Sequence, residues 1–109
     1  DLMSLLEDAR RDINSGLKAA MLERYFAAFP TLERKPFAAA FAVLAAQRHS
    51  KVIGIFTRLC VRDGKKSYLK HIPRVWRLLE GALVHPSLAP VANWFDTHIS
   101  QAKRITPTL

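Results

Sequence analysis

The sequence predicts an all-α fold, a helical bundle built around one long central helix. Three observations carry this reading. Apolar residues recur at helical spacing along most of the chain, no stretch alternates apolar with polar residues as a half-buried strand would, and the intervening residues are helix starters and stoppers. Residues 1–12 gather Leu2, Leu5, Leu6 and Ala9 on one face, in line with Ile13, and leave Glu7, Asp8, Arg10 and Arg11 elsewhere, an amphipathic helix. Asn14-Ser15-Gly16 ends it, with Ser15 placed to cap a second helix over 16–28. That helix is expected to bury Leu17, Ala20 and Met21, with Tyr25 a further candidate. Phe29-Pro30 closes it, because proline disfavours helical geometry in the residue before it.

The central helix is expected over 36–62. Pro36 is tolerated only in a first turn, where its missing N–H is not needed. Gly54 is the lone breaker inside, and Asp63-Gly64 supplies the stop, with a glycine suited to the left-handed position past a helix end. Phe37, Phe41, Leu44, Val52, Ile55, Phe56 and Leu59, padded with alanines, cover most of its circumference, as in a helix at the middle of a bundle. Lys65-Lys66-Ser67 reads as a solvated connection. Residues 68–83 are helical with an interruption at Pro73, after which Val75, Trp76, Leu78, Leu79 and Leu83 supply an apolar face. A last helix over 91–102 carries Trp94, Phe95 and Ile99. Residues 1–105 are expected to form a single helical domain, and 106–109 a frayed tail.

Half the residues are apolar and about a quarter are charged, which is globular rather than disordered composition. The longest uncharged run, 36–46, falls far short of the ~20 residues that a membrane span requires. No basic stretch followed by an apolar run marks a signal peptide, so a cytoplasmic protein without a membrane partner is expected. A single cysteine, Cys60, excludes an intramolecular disulfide and lies in an apolar helical stretch, where a core role is favoured over a nucleophilic one. Seventeen Lys and Arg against nine Asp and Glu give a net charge of +8, which attracts polyanions. The cations are spread as pairs, one to each element, rather than as a block, which weakens a nucleic-acid reading. The chain opens on Asp1 rather than Met, and we read it as a truncated or processed product with its missing part upstream.

Enzyme signatures are absent: there is no glycine-rich phosphate loop, no HExxH, no paired histidines and no Ser/His/Asp arrangement. No residue is assigned a catalytic or metal-binding role. His49, His71, His85 and His98 are isolated, and structural or surface roles are expected of them. The one anomaly is Gln47-Arg48-His49-Ser50-Lys51, five polar residues that sweep more than a helical turn inside the most apolar helix. One of them must point inward. Arg48 is the expected one, in register with Phe41, Leu44, Ile55 and Leu59, and a buried guanidinium demands a partner. Two readings stay open: an ion pair with Asp8 or Asp12, or a polar cleft in which Gln47, Arg48 and Lys51 contact a substrate anion or sugar hydroxyls.

Two stretches, read as DLxSLLxDARRD at residues 1–12 and QRxxKxxGIFxRL at 47–59, occur together with Arg62-Asp63-Gly64-Lys65 and Ile72-Pro73-Arg74-Val75-Trp76. In combination they resemble the C-terminal end of the aminoglycoside-phosphotransferase-like kinases, closest to the branch that phosphorylates the anomeric hydroxyl of N-acetylmuramate and N-acetylglucosamine in cell-wall recycling. Where that branch has Asn after Gln-Arg, this chain has His49. The resemblance implies the C-terminal helical part of a protein-kinase-like fold. ATP and Mg would be handled by an upstream nucleotide-binding lobe, the acceptor would be an amino sugar, and Asp1 would support the catalytic loop from behind. It implies no cofactor in this chain and no transferase activity from this chain alone. A rival reading is a stand-alone basic helical module that binds nucleic acid or an acidic protein. A third is a fragment that dimerises through exposed apolar surface.

Overall fold

The computed structural model describes residues 1–109 as helices and turns without strands. Five α-helices follow in order: α1 (Leu2–Leu6), α2 (Ser15–Ala28), α3 (Arg34–Asp63), α4 (Ile72–Leu83) and α5 (Ala89–His98). Short 3-10 segments at Lys66–His71, Pro86–Leu88 and Gln101–Lys103 join or follow them. The 30 residues of α3 span roughly 45 Å at helical rise, which matches the 47 Å longest dimension of the molecule.

The core lies between α3 and α4. On α4, Ile72, Val75, Trp76, Leu79, Ala82 and Leu83 form one buried stripe, with Pro73 in the first turn where its lack of an N–H costs nothing. The facing stripe of α3 is small: Ala42, Ala45 and Ala46, then His49, Phe56 and Cys60. Alanines let the two helices approach closely, so Ala45, Ile72, Val75 and Leu79 are fully excluded from water. Met3 and Leu6 of α1 seal one side, Leu88 and Phe95 the other, with the Phe95 ring edge-on to Trp76 at 6.2 Å. Arg104 closes the C-terminal end: its guanidinium donates to the Ile99 carbonyl at 2.8 Å and to Asp96 at 2.9 Å, and lies 6.0 Å from the Trp76 ring.

Several expectations need correction. The predicted helix over 1–12 stops at Leu6, because side chains capture the backbone beyond it. Asp8 accepts from the Arg10 N–H at 2.7 Å, and Arg74 of α4 donates to Asp12 at 2.7 Å and to the Ala9 carbonyl at 3.3 Å. The cap of α2 is Asn14, which accepts from the Leu17 N–H at 2.7 Å, rather than Ser15. No residue of α2 is buried, so Leu17, Ala20 and Met21 are not core. The helix is tied to the body by Lys18 to Glu7, Glu23 to Arg34, and a ring cluster of Tyr25 and Phe26 around Phe37. Nor is α3 buried all round: Val43, Leu44 and Val61 face solvent. The last helix ends at His98, not 102.

The stop at Gly64 is as predicted. Its φ of 67° is left-handed, and its N–H donates to the Cys60 carbonyl. A Cβ there meets no neighbour, so the cost of Gly64→Ala is backbone strain alone. We expect a loss of about 1–2 kcal/mol in urea unfolding.

Candidate functional site

At roughly 100° per residue, the polar run on α3 divides into three directions. His49 shares the direction of Ala42, Ala45, Ala46 and Phe56 and is only 1% exposed. Arg48 lies on the flank with Phe41, Ile55 and Leu59, none of them fully buried, and is itself exposed. Gln47 and Lys51 point away from the core, exposed alongside Arg58 and Gly54. The inward member of the run is therefore His49, not Arg48. Arg48 makes no ion pair with Asp8 or Asp12, whose carboxylates instead engage Arg11 and Arg74. The physical reason is that the apolar residues in register with Arg48 form a half-solvated flank, where a guanidinium needs no internal partner.

Behind this surface His49 meets a buried carboxylate. Glu7, at the end of α1, is 7% exposed and accepts from His49 Nε2 at 2.7 Å and from Lys18 Nζ of α2 at 2.6 Å. A carboxylate only accepts, so His49 Nε2 donates to it, while His49 Nδ1 is buried and without a partner. Burial pushes the Glu7 carboxyl up, but the hydrogen bonds and charges of His49 and Lys18 outweigh it and hold the group below its ordinary value. One buried anion thus ties α1, α2 and α3 together. Sequence reasoning missed this cluster; the available signal was the heptad register of His49 with Ala42 and Phe56.

Recesses open nearby. One of about 250 Å³ runs between α1 with the chain after it and the side of α3, with Ser4, Asp8 and Arg10 on one wall and Arg48, Phe56 and Tyr68 on the other. Two guanidinium groups, a carboxylate, a hydroxyl and a phenol around a small apolar base suit a polyhydroxylated ligand with an anionic substituent. Of the residues singled out in the sequence, Arg48 lines this recess, while Gln47 and Lys51 lie on the adjoining outer surface of α3. The larger recess, about 680 Å³, opens on the opposite side of α1, between α2, the first half of α3 and α4, and its walls are mainly apolar. Asp1 begins α1 and makes no side-chain capping bond, so its exposed carboxylate is open to other contacts.

His71 sits at the start of α4, where Arg74 donates to its Nδ1 at 2.9 Å; burial and then the Arg74 charge push its pKa down. Nowhere do three or more His, Cys, Asp or Glu side chains gather as a metal-ion donor set. No helix is long and apolar enough to cross a membrane.

No family model matches the chain. Individual proteins do. The chain is 43% identical over 99 residues, 91% of its length, to the N-acetylmuramate/N-acetylglucosamine kinase of Caulobacter vibrioides. It is 52% identical over 58 residues to the protein of the same name in Pseudomonas aeruginosa, and 40% identical over 80 residues to that of Neisseria meningitidis. The matches cover 52% and 68% of this chain in those two cases. In each the chain spans only part of the relative's length: 27%, 17% and 24% respectively. The sequence thus relates this chain to one segment of the N-acetylmuramate/N-acetylglucosamine kinases.

Proposed function

We propose that this chain is the acceptor-side, C-terminal helical part of an aminoglycoside-phosphotransferase-like amino-sugar kinase that works in the cytoplasm in cell-wall recycling. The similarity over 91% of the chain to a kinase named for N-acetylmuramate and N-acetylglucosamine carries the reading, and the polar lining of the recess beside Arg48 supports it. In this reading ATP and Mg belong to the remainder of the parent protein, and this chain alone transfers no phosphate.

Its role is positioning. Arg48 and Arg10 offer cations to the carboxylate of a muramic-acid-type sugar, Ser4 and Tyr68 offer hydroxyls to the ring, and Gln47 and Lys51 extend the donor surface along α3. Asp1 would brace the catalytic loop from the exposed end of α1. Arg48→Ala and Lys51→Ala in the complete kinase test this. A charge-assisted hydrogen bond is worth about 1.5–3 kcal/mol, so each loss is expected to raise KM for N-acetylmuramate roughly tenfold or more. The effect on N-acetylglucosamine, which lacks the carboxylate, should be smaller, and kcat should be nearly unchanged. Unaltered KM and kcat for both sugars in both variants would remove these residues from the acceptor site.

A further inference from the structure

The larger recess, unlike the polar recess beside Arg48, is lined mainly by apolar residues. Its floor is small and apolar, made by Ala38, Ala42 and Ala45 of α3 with Gly81 and Ala82 of α4, and Leu22, Phe26, Phe37 and Phe41 form one wall. Most of its polar groups are already engaged: Glu7 with His49 and Lys18, and Arg34 with Glu23. A sugar would find few hydrogen-bonding partners here, whereas a close-packing apolar surface would find many. The wall itself lacks support. α2 has 14 residues, none of them buried, and a helix of that length is marginal in water unless it packs against something.

We propose that this recess seats an apolar-faced helical segment with an acidic flank, drawn from the part of the kinase polypeptide that the relatives carry beyond the span matched by this chain. The proposal rests on the kinase reading, since the matched relative is more than three times as long, with 27% of its length covered. The small-residue floor between α3 and α4 lets a helix approach closely, as facing helices do at alanine and glycine contacts. Arg77 at the rim, held only loosely by Asp12 at 3.8 Å on a chain of net charge +8, favours an acidic residue beside the incoming apolar face. Its arrival would bury Leu22 and Phe26 and give α2 the packing it lacks here.

Cysteine accessibility tests the proposal. A side chain added at Gly81 meets open space, and Ala38 is exposed, so Gly81→Cys and Ala38→Cys place thiols on opposite sides of the recess without crowding. The native Cys60 is buried and supplies the slow background. Each variant is made in the 109-residue chain and in the complete polypeptide that carries it, and labelled with N-ethylmaleimide. Both thiols should label rapidly in the short chain and on the order of 100-fold more slowly in the complete polypeptide. Equal rates in the two contexts overturn the proposal. So does protection in the short chain accompanied by a dimer's mass, which would seat a second copy there, and so does a complete polypeptide no longer than this chain.

Gly81→Leu provides an independent readout. It should leave Tm of the short chain unchanged or higher and lower that of the complete polypeptide; an unchanged Tm in both also overturns the proposal. Phosphate transfer to N-acetylmuramate and N-acetylglucosamine is assayed separately. Protected thiols without transfer would leave the docking intact and sink the kinase reading. Transfer with unprotected thiols would do the reverse.

Discussion

His49→Ala is expected to destabilise the chain by roughly 3 kcal/mol, among the largest effects of any single substitution. Removing one partner of a buried pair commonly costs about 3–5 kcal/mol, because the other charge is left without compensation. Here Lys18 stays on the Glu7 carboxylate, which places the cost at the lower end of that range. The imidazole also leaves a void beside Ala45 and Ala46, where little can collapse to fill it. His49→Asn is expected to recover part of the loss, because an amide N–H reaches toward the same carboxylate; urea melts of the two variants provide the comparison. The pH dependence follows from Glu7. Its folded pKa is held below the ordinary value of 4.5, so its contribution is fully present above pH 4.5 and is lost as pH falls through the folded value. In His49→Ala that acid-side slope should flatten, and a melt at pH 7 against one near pH 3 checks it. His71, whose pKa is also lowered, adds a separate loss as pH falls below 6.5, and this one should persist in the variant.

The second large effect is expected at Trp76, where Ala should cost about 3–5 kcal/mol. Trp76 is the joint between α4 and everything C-terminal to it. Its ring is 7% exposed, meets Phe95 edge-on, and lies under the Arg104 guanidinium. Losing it removes apolar area and leaves Arg104, whose side chain is 4% exposed, without its aromatic floor. Amides of α5 and of residues 99–104 should then exchange much faster, while those in the second half of α3 stay protected. If hydrogen exchange accelerates uniformly along the chain instead, Trp76 is a general core residue and not a local joint.

What could be read from the sequence was the punctuation. Gly64 stops α3 where a left-handed residue was required, Pro73 opens α4, and the spacing of Val75, Trp76, Leu79 and Leu83 identifies its buried face. The inward direction of α3 was hidden because its core stripe is alanine, and large apolar side chains on its flank drew the register toward Arg48. The end of α1 was equally hidden: the residues that divert it, His49 and Arg74, are 42 and 62 positions away from Glu7 and Asp12. Local propensity cannot report such partners. The polar run at 47–51 was legible as an interruption, and Arg48 does line a recess, but the opposite wall comes from the turn after α1 that periodicity had drawn as helix.

The alanine seam between α3 and α4 also sets how this chain can change. Where two rods touch through methyl groups, every enlargement acts as a wedge. A Val or Leu at Ala45, fully enclosed, has no void to enter and can be accommodated only by driving the rods apart. Separation there would carry Trp76 away from its position and widen the recess floored by Ala42 and Ala82 at the same time. Drift along this line is confined to the smallest side chains, whereas the solvated outer surface of α3 around Val43 and Val61 is open to variation without altering the spacing of the helices.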